Sequence, residues 1–436
     1  MKPVKVGICG LGTVGGGTLN VLKRNAEEIT RRAGRGIEIA QIAIRSPKPQ
    51  YDTTGIAMTS DVFELVNNPE IDIVIELIGG YTLAKELVLK AIDNGKHVVT
   101  ANKALIAVHG NEIFAKAREK GVIVAFEAAV AGGIPVIKAI REGLSANRIN
   151  WLAGIINGTG NFILTEMREK GRAFEDVLKE AQALGYAEAD PTFDVEGFDT
   201  AHKLAILTSL AFGTKIDAEA IHVEGISSIT PLDLKMADEL GYRIKLLGVA
   251  ERTKTGIEQR VHPTMVPKSS AIAQVMGVTN AVTIDADAVR EITLVGPGAG
   301  GGPTASAVIA DIADIARGTA GLPFGMPVAR LEQPTRAPMQ RHEGGYYIRL
   351  AVADRPGAAA AIATRMADAN ISLESIVQRR SEAAAARDPG GRSGAPVPVV
   401  LITYATSEQA IRGALEKVGA DGHISEAPQV IRIERE

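Results

Sequence analysis

A glycine-rich turn near the N-terminus limits the folds open to this chain more than any other feature. Residues 10–15 (GLGTVG) match the pattern G-x-G-x-x-G, follow the predicted strand Val4–Ile8 and open a predicted helix. In a β-α-β unit, such a turn lets the backbone approach a pyrophosphate at the N-terminus of a helix. We therefore predict that Gly10, Gly12 and Gly15 bind a dinucleotide. A plain strand-to-helix turn is the alternative.

The first third of the chain alternates strand and helix patterns. The predicted strands are Val4–Ile8, Ile37–Ile44, Ile71–Ile78, His97–Thr100 and Val122–Phe126, and the predicted helices include Gly15–Leu22 and Leu83–Asn94. This alternation predicts an α/β fold with right-handed crossovers and a doubly wound parallel sheet. We assign residues 1–128 to a Rossmann-like dinucleotide-binding domain and expect residues 303–322 to return to it.

The remaining sequence predicts two further units, in keeping with roughly three domains for a chain of 436 residues. Residues 129–302 form the predicted α+β catalytic and dimerisation domain, with helical patterns at Ala201–Phe212 and Glu239–Leu247. The Pro-rich residues 323–343 are a predicted linker that lets the tail move. Residues 344–436 follow the order β-α-β-β-α-β of the ferredoxin-like motif. Within that tail we expect the loop Glu382–Pro398 to be mobile.

Composition excludes several classes of function. Lys and Arg total 48 against 51 Asp and Glu, and a net charge of −3 does not favour nucleic acid or an acidic membrane as partner. No apolar run reaches the roughly 18 residues of a membrane span, and the first strand leaves no room for a signal peptide. The single cysteine, Cys9, excludes an internal disulfide framework and a cysteine-based zinc site. We therefore expect a soluble, cytoplasmic protein.

The end of the second predicted strand bears on the choice of dinucleotide. NAD-selective sites usually carry Asp or Glu there, as acceptor for the ribose 2′-hydroxyl. In this chain Ile44 is followed by Arg45-Ser46-Pro47-Lys48, which contains no carboxylate. Cations can bind a 2′-phosphate, so the sequence favours NADP(H), with NAD(H) possible. The alternative is that Arg45 and Lys48 are solvated loop residues.

Three charged side chains are candidates for catalysis. Lys103 follows the strand His97–Thr100, and ligands bind at the carboxyl ends of parallel strands. Asp199 and Lys203 are four residues apart on a predicted helix and therefore share one face. A carboxylate there can orient a lysine for proton transfer. From spacing alone, a surface ion pair is the favoured alternative.

Two loops are weaker candidates. The turn at residues 185–191 is dense in carboxylates and could hold a substrate ammonium, with a solvated loop as the alternative. Residues 127–135 offer backbone carbonyls and one carboxylate, a donor set suited to a hard monovalent cation. No His-rich or paired-carboxylate spacing predicts a transition-metal site.

Taken together, these motifs resemble those of homoserine dehydrogenases of the bacterial type that carry a C-terminal ACT domain, a small amino-acid-sensing module. The matching motifs, in chain order, are residues 10–15, 100–105 (TANKAL), 126–135 (FEAAVAGGIP), 156–159 (INGT), 185–191 (GYAEADP), 194–197 (DVEG), Asp199 with Lys203, 296–300 (GPGAG) and, in the tail, 354–357 (DRPG). The resemblance implies NAD(P)H-dependent interconversion of L-aspartate 4-semialdehyde and L-homoserine, in threonine, methionine and isoleucine biosynthesis.

The resemblance also implies roles for individual residues. Lys203 would donate the proton, Asp199 and Glu188 would bind substrate together with Gly185, and Lys103 would lie between substrate and cofactor. The cofactor would be lined by Gly10, Gly12, Thr13, Val14, Gly15, Arg45, Lys103, Gly185 and Gly300. A structural Na⁺ would be bound by Glu127, Val130, Gly132 and Ile134, mostly through main-chain oxygens.

For regulation and assembly, the resemblance makes threonine the leading candidate effector of the tail and a homodimer or homotetramer the expected assembly. A tail that only drives oligomerisation is the alternative. Two other functions stay open at this point: another NADP-dependent amino-acid or aldehyde dehydrogenase, and a non-catalytic amino-acid sensor. The intact set Lys103, Glu188, Asp199 and Lys203 argues against a sensor that has lost its activity.

Overall fold

A parallel sheet carries the glycine-rich turn in the computed structural model, which describes residues 2–378 and 396–434. Its strands are β1 (Val4–Cys9), β2 (Ile37–Ala43), β3 (Ala57–Thr59), β4 (Ile73–Glu76), β5 (His97–Thr100) and β6 (Val124–Ala125). They pair in the order β3-β2-β1-β4-β5-β6, with every pairing parallel. This is the doubly wound order, so the predicted Rossmann-like sheet is confirmed.

A larger sheet contains the remaining strands. They are β7 (Ile149–Ile155), β8 (His222–Val223), β9 (Tyr242–Thr253), β10 (Gly256–Pro267), β11 (Thr279–Ala286), β12 (Arg290–Pro297), β13 (Glu343–Ala353), β14 (Leu373–Gln378), β15 (Pro396–Thr403), β16 (Thr406–Ser407) and β17 (Gln429–Ile433). The main path of this sheet runs β12-β11-β7-β9-β10-β17-β13-β15-β14, while β8 pairs with β10 and β16 with β13. The tail strands alone run β17-β13-β15-β14, all antiparallel, which is the predicted ferredoxin-like arrangement.

The helices complete the layers. They are α1 (Thr13–Arg24), α2 (Ala26–Ala33), α3 (Val62–Asn67), α4 (Thr82–Asp93), α5 (Lys103–Lys120), α6 (Val136–Lys138), α7 (Gly158–Lys170), α8 (Phe174–Ala183), α9 (Thr192–Val195), α10 (Phe198–Phe212), α11 (Pro231–Glu239), α12 (Gly301–Arg317), α13 (Ala358–Asp368) and α14 (Glu408–Ala420). Helix α10 packs on β9 and β10 and also contacts α5 of the first unit, so it lies where the two sheets meet. Among the described residues, no helix combines the length and apolar character needed to span a bilayer.

Helix α12 returns to the first sheet after the second has been built. A side chain at Gly17 on α1 would overlap the carbonyl oxygen of Gly301, so the two helices cross in direct backbone contact. Val308 and Ile312 of α12 belong to the same buried cluster as Val6 of β1. The assignment of residues 303–322 to the dinucleotide-binding domain stays a prediction. The packing of α12 against α1 and β1 is consistent with it.

The predicted helix Glu239–Leu247 is wrong. Helix α11 ends at Glu239, and β9 begins at Tyr242. Residues 244–250 are buried at every position, so the strand shows no alternation between apolar and polar residues. Periodicity cannot distinguish such a strand from a buried helix.

The tail packs directly against the second unit and is not connected to it by the linker alone. Strand β17 pairs in parallel with β10, Thr264 opposite Arg432, and the two sheets continue as one. The hydroxyl of Tyr347 and the guanidinium of Arg349, both on β13, donate to Asp233 on α11. Residues 323–343 therefore connect units that are already joined, contrary to the expectation of a freely moving tail. Most of the predicted mobile loop, residues 382–395, lies outside the described residues.

Candidate active site

The glycine-rich turn has the geometry that its sequence predicts. Gly10 has φ +95°, in the left-handed region that favours glycine, and a Cβ there would lie 2.6 Å from the carbonyl oxygen of Leu77. A Cβ on Gly15 would overlap the carbonyl oxygen of Gly10. At Gly12 the space is open. Two of the glycines are thus required by packing, while Gly12 leaves room for a ligand to approach the backbone.

A groove of about 520 Å³ runs from this turn to the end of β2. Gly10 and Gly12 line one part of it, and Arg45 and Lys48 line another. Both cations are exposed, so they are accessible to a ligand phosphate. The structure therefore brings Arg45 to the groove that begins at the glycine-rich turn.

A second cavity, of about 280 Å³, continues toward the larger sheet and shares Leu77, Gly79 and Gly80 with the groove. Its lining includes Val14 of α1, Lys103 of α5 and Phe193 of α9. The two cavities form one path from Arg45 to Lys103, bounded on the far side by Phe193.

Glu76 organises the loops between these cavities, although it belongs to none of the sequence motifs. It is fully buried at the end of β4, accepts hydrogen bonds from Thr100 Oγ1 at 2.6 Å and from the backbone N–H of Ile78 at 3.0 Å, and burial raises its pKa. Asn102, beside Lys103, donates to the carbonyl oxygen of Gly80 at 2.6 Å. A carboxylate inside the apolar run 71–78 was the available signal, because such a group must find partners when buried.

The two lysine candidates both contact the third candidate, the carboxylate of Asp199. Lys203 Nζ lies 2.6 Å from Asp199 Oδ2, and Lys103 Nζ lies 3.1 Å from Asp199 Oδ1. Lys203 also donates to the carbonyl oxygen of Ile156 at 2.7 Å. The Asp199 side chain is only 4% exposed, so the pair is not the solvated surface ion pair that spacing alone favours.

The electrostatics follow from this geometry. Burial acts to raise the pKa of Asp199, but the ammonium groups of Lys203 and Lys103 outweigh it and lower that pKa to about 2. Burial, followed by the negative charge of Asp199, raises the pKa of the neighbouring Asp194. The site thus keeps Asp199 ionised at neutral pH, next to two cationic side chains.

Asn157 connects the two carboxylates. It precedes α7, and its Nδ2 donates to Asp194 Oδ1 and to Asp199 Oδ2, both at 2.8 Å. The motif 156–159 contains Asn157, but the sequence gives no sign that its side chain reaches two other elements. Among the candidates outside this cluster, Glu188 and Gly185 lie on an exposed turn, which Thr159 holds by donating to the carbonyl oxygen of Tyr186 at 2.6 Å.

Gly300 lies next to the glycine-rich turn, at the start of α12. Gly300, with φ +112°, is the N-cap of α12, and a Cβ on the next residue would lie 2.9 Å from the carbonyl oxygen of Thr13. The N-termini of α1 and α12 therefore converge, which suits a pyrophosphate.

In the loop 130–134, the backbone at Ala131 and Gly132 is left-handed, with φ of +56° and +47°. The Glu127 carboxylate accepts the backbone N–H groups of Ile137 and Lys138, at 3.0 and 2.9 Å. This loop can offer main-chain oxygens to a hard cation, a donor set that fits Na⁺ better than a transition metal. Within residues 2–378 and 396–434, no group of three His, Cys, Asp or Glu side chains is arranged to hold a metal ion.

Three protein-family models match successive parts of the chain. The model described as homoserine dehydrogenase, NAD binding domain, matches residues 10–127. The model described as homoserine dehydrogenase matches residues 135–313, and the ACT domain model matches residues 346–419. The third match confirms the predicted ACT tail.

Proteins named homoserine dehydrogenase resemble the chain over its full length. The protein from Pseudomonas aeruginosa is 60% identical, with 100% of both chains covered, and that from Neisseria gonorrhoeae is 51% identical, with 100% of this chain and 99% of the relative covered. The crystal structure of a homoserine dehydrogenase from Thiobacillus denitrificans has 53% identity and a TM-score of 0.92, covering 100% of this chain and 99% of that one. A hyperthermophilic archaeal homoserine dehydrogenase in complex with NADPH has 28% identity and a TM-score of 0.64, covering 74% of this chain and 100% of that one.

Proposed function

Because the chain belongs to the homoserine dehydrogenase family, whose members are oxidoreductases acting on a CH–OH group, we propose that it reduces L-aspartate 4-semialdehyde to L-homoserine with NADPH. The observation that carries this proposal is the buried Asp199 carboxylate, which holds the ammonium groups of Lys103 and Lys203 on its two oxygens beside the dinucleotide groove. The reverse oxidation uses the same groups.

Lys203 is the proton donor in this proposal. An ammonium has three N–H donors, and two of them are occupied by Asp199 and by the carbonyl oxygen of Ile156. The third remains for the substrate carbonyl oxygen. A reduced nicotinamide, when bound, supplies the hydride that the aldehyde carbon receives. As negative charge grows on the carbonyl oxygen, the Lys203 ammonium stabilises it and transfers a proton.

Asp199 and Lys103 support that proton transfer. Asp199 holds Lys203 in one orientation, and it stays ionised because two cations face it. Lys103 forms an ion pair with Asp199, its side chain is 38% exposed, and it lines the cavity that continues from the dinucleotide groove. We propose that Lys103 contacts both substrate and cofactor.

The substrate ammonium is bound, in this proposal, by Glu188 on the exposed turn 185–191, where Gly185 allows the backbone to reach the ligand. Thr159 fixes that turn against α7, close to the residues that hold Lys203. The aldehyde end of the substrate then faces Lys203, and its ammonium end faces the carboxylate.

NADPH is the preferred cofactor, with Gly10, Gly12, Thr13, Val14, Gly15 and Gly300 at the pyrophosphate. Arg45 reads the 2′-phosphate at the far end of the groove, where no carboxylate is available for a free ribose hydroxyl. The archaeal relative whose structure contains NADPH supports this choice.

We further propose a structural Na⁺ held by main-chain oxygens of Glu127, Val130, Gly132 and Ile134. The Glu127 side chain already accepts two backbone N–H groups at the N-terminal end of α6, so main-chain oxygens are the main ligands in this proposal. The ion would fix this loop against residues 297–298, which it contacts through the hydrogen bond from Gly133 N to the carbonyl oxygen of Pro297 at 3.0 Å.

Threonine is the proposed effector, and the reaction belongs to threonine, methionine and isoleucine biosynthesis. The contact route from the tail supports regulation. Arg432 on β17 donates to both oxygens of Glu224, at 2.9 and 3.0 Å, and the backbone N–H of Ile226 donates to the carbonyl oxygen of Val195 at 2.9 Å. Val195 follows Asp194, so the tail is linked to the active site through a few residues.

We also propose a homodimer or homotetramer. The larger sheet carries a second apolar cluster, which contains Leu247, Val249 and Val266, and beside it lies a cavity of about 150 Å³. Self-association through this surface would close that cavity and cover the half-buried Trp151 that lines it.

The deciding experiment is a cofactor-oxidation assay with identified product. Purified protein should oxidise NADPH in the presence of aspartate semialdehyde, and chromatography should identify homoserine. Added threonine should slow that turnover and bind by calorimetry. Turnover of unrelated aldehydes with none of aspartate semialdehyde would favour the other-dehydrogenase alternative, and an ACT tail that binds no threonine would leave assembly as its role.

A further inference from the structure

We propose that Asn157 is a positioning residue, whose side-chain amide holds Asp199 and Asp194 at a fixed separation and so sets the orientation of Lys203. This inference rests on the proposed function. Asn157 is buried, 5% exposed, at the junction of β7 and α7, and it acts through the two carboxylates.

The hydrogen bonds of Asn157 fix its orientation. Its Oδ1 accepts the backbone N–H of Gly160 at 2.7 Å, which caps α7, and its two Nδ2 hydrogens go to Asp194 and Asp199. A flipped amide would point its oxygen at two carboxylates and its NH₂ group at a backbone N–H. The bridge is therefore the only satisfied arrangement.

The turn at residues 156–157 holds both members of the catalytic pair at once. The carbonyl oxygen of Ile156 accepts one hydrogen of Lys203, and the amide of Asn157 donates to the same Asp199 oxygen that Lys203 contacts. A shift of this turn would move the ammonium and the carboxylate together.

Asn157 also stabilises two neighbouring negative charges. Asp194 and Asp199 belong to α9 and α10, and the pKa of Asp194 is raised by burial and by the charge of Asp199, while the Asn157 hydrogen bond acts to lower it. The other charged or titratable groups that face the carboxylates are Lys103, Lys203 and His202. Without the amide donors, the pKa of Asp194 should rise further.

Asn157→Ser removes the hydrogen bonds to the two carboxylates but keeps the N-cap of α7. A serine hydroxyl still accepts from Gly160 N–H, since serine is a good N-cap, but it cannot reach both carboxylates. We expect kcat to fall on the order of 10²-fold, the usual cost of a small misplacement of reacting groups. The acid limb of the kcat/KM profile should move to higher pH, and NADPH binding should stay near wild type. The thermal midpoint should fall, because two buried carboxylates lose a donor, but the protein should remain folded at the assay temperature.

Asn157→Asp is the second variant. It keeps the acceptor for Gly160 N–H but replaces the donors with a third carboxylate, so its loss should be larger and its acid limb should move further. Wild-type kinetics for both variants would contradict the positioning role of Asn157. So would a fall in kcat accompanied by equal losses of NADPH binding and of folded protein. Either result would leave the proposed function standing. Absence of aspartate semialdehyde turnover by the wild-type chain would overturn the proposed function and this inference with it.

Discussion

Lys203 Nζ lies 2.6 Å from Asp199 Oδ2, and the side chains of both residues are largely buried, at 13% and 4% exposed. An i,i+4 pair on a solvated helix contributes little because water screens both charges. Here the second carboxylate oxygen forms an ion pair with Lys103, so one buried carboxylate holds two ammonium groups in place. The pair therefore has the desolvated, oriented character that proton transfer requires.

Arg45→Ala should separate the two cofactors. We expect NADPH to bind roughly tenfold more weakly or worse, since a hydrogen bond to a charged group contributes about 1.5–3 kcal/mol. NADH should change little, and Arg35→Ala, a half-buried arginine before β2, serves as the control. Fluorescence titration measures both. Equal losses for the two cofactors would show that Arg45 does not read the 2′-phosphate.

Arg432→Met should destabilise the fold. It removes the buried arginine that contacts both Glu224 and Glu408, and removal of one member of a buried ion pair costs about 3–5 kcal/mol. Arg412→Met removes a half-exposed arginine that also contacts Glu408, so it should cost less than about 1 kcal/mol. Chemical unfolding measures both. Similar small losses would show that this junction does not hold the tail.

Local patterns predicted one part of the molecule well. The glycine-rich turn, the strand before Lys103 and the Asp199–Lys203 spacing each depend on a few neighbouring residues, and the structure contains all three. The Glu76 carboxylate was also visible, as an ionisable group within an apolar run. Its hydrogen bonds to Thr100 and to the backbone of Ile78 were not, because they join separate segments.

Other features could not be predicted because they depend on segments far apart in the sequence. Asn157 meets Asp194 and Asp199 only after three elements have packed. Strand β9 was wrongly predicted as a helix because both of its faces are buried. The pairing of β17 with β10 joins residues 264 and 432, and the Pro-rich segment between them suggested separation instead.

Lys245 makes stability depend on pH. It is 1% exposed on β9, donates to Asn161 Oδ1 at 3.1 Å and to the carbonyl oxygen of Val275, and burial lowers its pKa to about 7. In the unfolded chain a lysine titrates near pKa 10.4, so between these values the unfolded state binds more protons. The destabilisation due to the buried charge is therefore full below about pH 7 and disappears as pH rises toward 10.4.

The corresponding measurement compares wild type with Lys245→Met by urea unfolding at about pH 7 and about pH 9. The free energy of unfolding of wild type, relative to the variant, should rise by up to roughly 1.4 kcal/mol per pH unit. Lys254→Met, at the exposed turn between β9 and β10, should show no such trend. A pH-independent difference for Lys245→Met would mean that the buried amine keeps the same charge as in the unfolded chain.

Turnover of Lys203→Ala with aspartate semialdehyde and NADPH tests most directly whether Lys203 donates the proton. We predict a kcat lower by roughly 10²–10⁴-fold, the usual contribution of a positioned proton donor, with NADPH affinity unchanged because the glycine-rich turn lies elsewhere. Lys215→Ala, an exposed lysine just beyond α10, should match wild type. Near-wild-type turnover by Lys203→Ala would contradict the proton-donor role and reduce the Asp199–Lys203 pair to a structural ion pair.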